Sequence, residues 1–85
     1  MVRITTMAED AQNVRLKVEG RMVGEEVSEL DHSCTEFLAQ NKMIVLDLSE
    51  VSYIDRRGVD VLQQIPADRV HIQGASLLVQ ALLGS

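Results

Sequence analysis

Asp31-His32-Ser33-Cys34 holds every ingredient of a nucleophilic triad in four consecutive residues. They fall on a stretch of helical period, where neighbours one or two apart point in different directions and cannot act as nucleophile, base and orienter. Cys34 lies on the apolar stripe of that stretch and reads as a small core residue. His32 and His71 are the only histidines, and neither has a carboxylate at metal-ligand spacing on its own face. A single cysteine allows no intramolecular disulfide and no cysteine-based metal cluster. Neither glycine-rich phosphate loop, G-x-G-x-x-G or G-x-x-x-x-G-K-S/T, occurs, and the five glycines are read as residues at element boundaries. No catalytic residue, metal or cofactor is assigned on this basis.

Two aspartates stand apart. Asp47 closes an apolar run that reads as a strand, and Asp55 opens the following helix in Ile54-Asp55-Arg56-Arg57-Gly58-Val59-Asp60-Val61-Leu62. In open α/β sheets, sites gather beyond the carboxyl ends of strands. Asp55 is either simply a helix N-cap, a contribution of about 1 kcal/mol, or part of such a site. Arg56 and Arg57 break the rule that Asp55 obeys, because a helix start carries partial positive charge and favours anions. Asp55 and Asp60 can offset that cost locally. Two readings of the arginines stand side by side: side chains extended into water, or a flat basic fork aimed at an acidic partner or anionic group.

The elements that must position these residues follow from periodicity. Residues 2–7 alternate as an edge strand, and "AEDAQN" turns. Val14 to Glu19 alternates as a second strand ended by Gly20, so the first two strands form a hairpin. Val27, Leu30, Cys34, Phe37 and Leu38 recur at spacings of three and four, an amphipathic helix of about 14 residues. Asn41 and Lys42 close it. Met43 to Leu48 is an apolar run with no polar face until Asp47, the mark of a central strand covered on both sides. A strand–helix–strand succession implies a parallel crossover. "SEVSYI" carries the chain over the sheet end, "RRGVDVLQQI" is a short helix stopped by Pro66, Val70–Gln73 is a strand, and Ser76 caps a last helix over "LLVQALL". The order β-β-α-β-α-β-α predicts one α/β domain over residues 1–85, an open, largely parallel sheet of about four strands with helices packed against it.

The whole chain narrows the classes of function. Hydrophobic residues make up 46%, enough for a globular core at this length, but with one Tyr, one Phe and no Trp that core must be aliphatic. The lack of aromatic faces and a net charge of −5 argue against binding nucleic acid. No apolar run approaches the ~20 residues of a membrane span, and the N-terminus has no signal-peptide core, so a cytoplasmic protein without membrane insertion is expected.

"LKVEGRMVGEEVSEL", "MIVLDLSEVSYIDRRGVDVL" and "VHIQGAS" together resemble the STAS domain family, over roughly residues 14–83. That family includes the bacterial anti-sigma factor antagonists and the STAS subunits and tails of transporters. The most specific part is the block from Val45 to Leu62. The resemblance implies a mixed sheet flanked by helices mainly on one face. In antagonist members the block reads Asp-Ser-Ser-Gly or Asp-Ser-Thr-Gly. The serine after the aspartate is phosphorylated by an anti-sigma kinase, and the unphosphorylated form binds that kinase. Here Asp55 matches the aspartate and Gly58 the glycine, while Arg56 occupies the acceptor place and has no hydroxyl to phosphorylate. Ser49 and Ser52 lie upstream and keep hydroxyls, so either is a candidate phosphoacceptor, although neither matches the family's acceptor position.

The expectation is a non-catalytic, bacterial protein–protein interaction domain of the kind used in transcription regulation. Its partner surface comprises Asp55, Arg56, Arg57, Gly58, Asp60 and Val61. The partner is expected to be an anti-sigma or kinase-type regulator, insensitive to the usual phosphoswitch. The alternatives are an accessory subunit docking on a transporter ATPase, and a module binding a small anionic ligand or nucleotide at Arg56-Arg57.

Overall fold

A computed structural model describes residues 2–84. Its elements are β1 (Val2–Glu9), β2 (Asn13–Met22), a 3₁₀ turn (Gly24–Glu26), α1 (Val27–Ala39), β3 (Met43–Ile54), α2 (Arg56–Gln64), β4 (Val70–Gln73) and α3 (Leu77–Leu83). The order is the one predicted. The four strands form a single mixed sheet in the order β1-β2-β3-β4. β1 and β2 form the expected antiparallel hairpin, and β2–β3 and β3–β4 are parallel, joined through α1 and α2.

The core explains why this sequence chooses that architecture. Val14, Leu16 and Val18 of β2 and Ile44, Leu46 and Leu48 of β3 point to one face and are buried. They meet Val27, Leu30 and Cys34 of α1, Val59 and Leu62 of α2 and Val79 of α3 in one cluster. The opposite face carries Arg15, Lys17, Val45, Asp47, His71 and Gln73, partly or fully exposed. Arg15 bridges across it to Gln73 at 3.0 Å. β3 is therefore not covered on both sides, as its unbroken apolar run had implied. Val45 is half-buried on an open face, and the helices pack on one side only.

Two strands run further than their sequence pattern indicates. β2 does not stop at Gly20 but continues to Met22, with Gly20 at φ 99°. β3 does not end at Leu48 but continues to Ile54, so "SEVSYI" is strand rather than connection. The cause lies in the pairing register. Lys17 pairs with Asp47 but Glu19 with Glu50, and Gly20 pairs with Val51 but Arg21 with Tyr53. Each shift inserts one extra residue into β3, a β-bulge that resets the alternation of faces. Leu48, Val51 and Ile54 are consequently all buried at a spacing of three, a period that matches no regular strand.

At the pole where β3 begins, Lys42 is the only buried charged residue among those described. It is held by an ion pair to Glu9 and lies 5.9 Å from the Phe37 ring centroid. The guanidinium of Arg69 donates to the Lys42 carbonyl at 3.1 Å. The candidate site lies at the opposite pole.

Candidate functional site

The site is built at the carboxyl ends of β2 and β3, where α2 begins. Asp55 caps α2 in the expected way: its Oδ1 accepts the N–H of Gly58 at 3.0 Å. Its second oxygen does something no local pattern could indicate. Oδ2 accepts the N–H of Gly24 at 2.8 Å, at the start of the 3₁₀ turn that follows β2. The Asp55 N–H in turn donates to the Met22 carbonyl at 3.0 Å. One residue thus ties the exit of β2 to the entry of α2. The Gly24 N–H, followed by that of Gly58, holds the Asp55 carboxyl below the usual carboxylate range.

Gly58 is fixed by a close approach. A Cβ there would lie 2.5 Å from Cγ1 of Ile54 and 3.2 Å from the Met22 carbonyl oxygen. Only a residue without a side chain lets the first turn of α2 sit this close to the end of β3. The Asp-x-x-Gly spacing therefore has two physical roles, a cap and a contact.

The helix separates the two arginines. Arg56 and Arg57 are both exposed, but consecutive positions on a helix point about 100° apart. Arg56 lines a cleft of about 260 Å³ between the end of β3, α2 and α3, with Tyr53, Ile54, Val59, Gln63 and Leu82. Arg57 lines a second cleft of about 320 Å³ on the other flank of α2, with Glu25, Val27, Asp31, Asp60 and Val61. They do not form one basic fork. Arg56 Nε donates to Asp60 Oδ1 at 3.1 Å, an i,i+4 pair with the Arg56 side chain 88% exposed. Both aspartates offset the cations at the helix start as the sequence suggested: Asp60 pairs with Arg56, and Asp55, held first by backbone N–H groups, also feels the charge of Arg57. Val61 is half-buried at the second cleft, which Asp60 also lines while pairing with Arg56 of the first.

Ser49 and Ser52 sit on β3, not on a loop, at the two bulges. Both are exposed. The Ser49 N–H donates to Asp47 Oδ1 at 2.9 Å. The Ser49 hydroxyl and N–H lower the Asp47 carboxyl from its ordinary value. Ser52 Oγ donates to the Gly20 carbonyl at 3.4 Å. Asp47 lies on the open sheet face, across from Lys17 and Gln73, and it is not brought together with Asp55 in either cleft.

The triad ingredients are dispersed. Cys34 is buried, and burial first, with Asp31 second, pushes its thiol up to about 11. His32 faces solvent, 3.3 Å from Glu36 one turn on. His71 is exposed on the open face. Among the described residues no cluster of metal-ligating side chains occurs.

Sequence reasoning missed Gly24, Tyr53, Arg21 and Leu82. The Arg21 guanidinium lies over the Tyr53 ring, 5.9 Å from its centroid. The second bulge of β3 sets the register that pairs Arg21 with Tyr53, and the one sequence signal among them was a lone tyrosine two residues before Asp55.

The architecture and the Asp-x-x-Gly cap define a class. The sequence matches the STAS domain family over residues 5–81, and the chain belongs to that family. Its fold is similar to the solved structure of the anti-sigma factor antagonist SpoIIAA in its unphosphorylated form, with a TM-score of 0.72 at 14% identity over 96% of this chain and 82% of that one. No curated protein matches the sequence. No described helix is long and apolar enough to cross a membrane.

Proposed function

We propose that this chain is a cytoplasmic, single-domain, non-catalytic regulator that binds a protein partner of the anti-sigma or kinase type through the surface around α2. Asp55, Arg56, Arg57, Gly58, Asp60 and Val61 contribute to that surface. The observation that carries the proposal is Arg56. Antagonist members of the family place a phosphorylatable serine immediately after the capping aspartate, and here that place is held by an exposed arginine salt-bridged to Asp60. The partner-facing scaffold is kept while the acceptor hydroxyl is gone. Binding is thus set by abundance rather than by phosphorylation at this position.

The same observation supports a second reading, an accessory subunit docking on a transporter ATPase. A docking subunit has no use for a phosphoswitch.

The experiment is affinity capture from the native host with mass spectrometry, using wild type beside an Arg56→Glu, Arg57→Glu double variant. A kinase-type regulator captured by wild type and lost in the variant supports the first reading. A transporter ATPase with the same behaviour supports the second. A partner retained by both proteins moves the interface away from α2.

A further inference from the structure

The carboxylate of Asp55 meets the starts of two helices, and it holds them unequally. The start of α2 is firmly seated. Gly58 N–H donates to Asp55 Oδ1 at 3.0 Å, Asp55 N–H donates to the Met22 carbonyl at 3.0 Å, and Gly58 sits close against Ile54. The 3₁₀ turn Gly24–Glu26 that leads into α1 has less support. It buries none of its residues, and neither Val23 nor Glu26 supplies a side-chain cap. The Val27 N–H and the Ser28 hydroxyl bond to it, but both belong to the next turn of the same segment. Its bond across to α2 is the Gly24 N–H given to Asp55 Oδ2 at 2.8 Å. Gly24 has a φ of 59°, a left-handed value that glycine adopts at no steric cost. A Cβ there would meet nothing within 4 Å, so the backbone has room to turn. Segments with little burial and few bonds open at a fraction of the global cost. The turn also helps to wall the cleft of about 320 Å³ whose apolar lining is Val27 and Val61.

We propose that this turn is a strap latched by Asp55. Gly24 is the pivot and its bond to Oδ2 is the latch. Release swings the turn off α2 and widens the cleft over Val27 and Val61, while α2 stays seated. The two oxygens of Asp55 then have separate duties: Oδ1 holds the helix and Oδ2 holds the strap. The cleft borders the surface assigned to the partner, but the latch does not depend on that assignment.

The test is amide hydrogen exchange of the isotope-labelled full chain, read by NMR in increasing, sub-denaturing urea. In wild type the Gly24 and Val27 amides are expected to exchange through a local opening that depends little on urea. The Gly58 and Val59 amides are expected to exchange through global unfolding, with a steep dependence. Asp55→Asn keeps an oxygen for Gly58 but turns an amide nitrogen toward the Gly24 N–H. Asp55→Ser keeps a cap but has one oxygen for the two donors. In either variant Gly24 and Val27 should exchange at least about tenfold faster. Gly58 and Val59 should change no more than the measured drop in global stability requires. A soluble nitroxide reads the cleft itself: it should relax the Val27 and Val61 methyls more strongly in the variants, and the Leu46 methyls of the core equally in all. The proposal is overturned if wild-type Gly24 and Val27 share the steep urea dependence of Gly58 and Val59, a comparison that stands even where a variant fails to fold. It is also overturned if neither variant accelerates the strap amides, if strap and helix amides accelerate together, or if the Val27 and Val61 methyls become no more accessible.

Discussion

The carboxylate of Asp55 reaches back 31 residues to accept the N–H of Gly24 at 2.8 Å. The segments it joins, the 3₁₀ turn after β2 and the first turn of α2, face each other across the cleft that Arg57 lines. A residue placed by its sequence as a local cap is also a tertiary tie.

Asp55→Ala removes both bonds. A lost cap costs about 1 kcal/mol, and a charge-assisted bond to backbone adds about 1.5–3. Urea denaturation is expected to show a loss of about 2–4 kcal/mol at neutral pH. The folded-state pKa of Asp55 is depressed below 3.8. Its contribution is therefore complete above that unfolded value and is lost as pH falls through the folded one. Wild type should weaken on acidification below about pH 4, and Asp55→Ala should show a shallower acid limb. Parallel limbs would mean that Asp55 is not a source of the acid sensitivity.

Gly58→Ala sets helix propensity against packing. Alanine gains about 1 kcal/mol over glycine inside a helix, but its Cβ would stand 2.5 Å from Ile54 Cγ1. Overpacking in a filled core costs about 1–3 kcal/mol. The variant is expected to be destabilised, and Ile54→Ala in the same chain should make the combined loss less than additive. A stabilised Gly58→Ala protein would show that α2 can shift away from β3.

Arg56→Ser recreates the aspartate–serine pair of the antagonist members. Given ATP and the kinase-type regulator captured with wild type, the variant should take up phosphate at residue 56, and wild type should take up none between residues 49 and 57. Phosphopeptide mapping decides the matter. Phosphate on Ser49 or Ser52 of wild type would end the claim that this surface is insensitive to phosphorylation.

Cys34 reports on opening of the core. Burial and a thiol pKa of about 11 keep it unreactive at pH 8, where a free thiol near 8.5 reacts readily. Labelling by an aromatic disulfide should be slow in the native state and fast in urea, with a native rate that follows global stability. Rapid native labelling would place α1 among the loosely held elements.

What was legible in the sequence depended on the range of the interactions. Caps and periods act over three or four residues, so the element order, the Asp55 and Ser76 caps and the α1 stripe could be read directly. The extent of β3 could not be. Its bulges replace a period of two with a spacing of three from Leu48 to Val51 to Ile54, which looks like loss of strand character. The covering of only one face was hidden as well, because Val45 on the open side is as apolar as Leu46 on the closed side. At the site, Asp55 and Gly58 announced themselves through spacing. Gly24 could not, since its partner is remote in the chain. The two arginines looked like one feature because adjacency in sequence conceals the angle between successive helical positions.

Tyr53 gives the protein an optical handle. With one tyrosine and no tryptophan in the chain, all of its tyrosine emission originates at the rim of the cleft beside Arg56. A guest that covers the ring or draws Arg21 off it changes the whole signal rather than a fraction of it. Shorter-wavelength excitation reaches Tyr53 and longer-wavelength excitation reaches only a partner's tryptophan, so the excess indole emission in the first case reports energy transfer from Tyr53 and how near that partner comes to this flank. The unlabelled protein carries its own single-site donor.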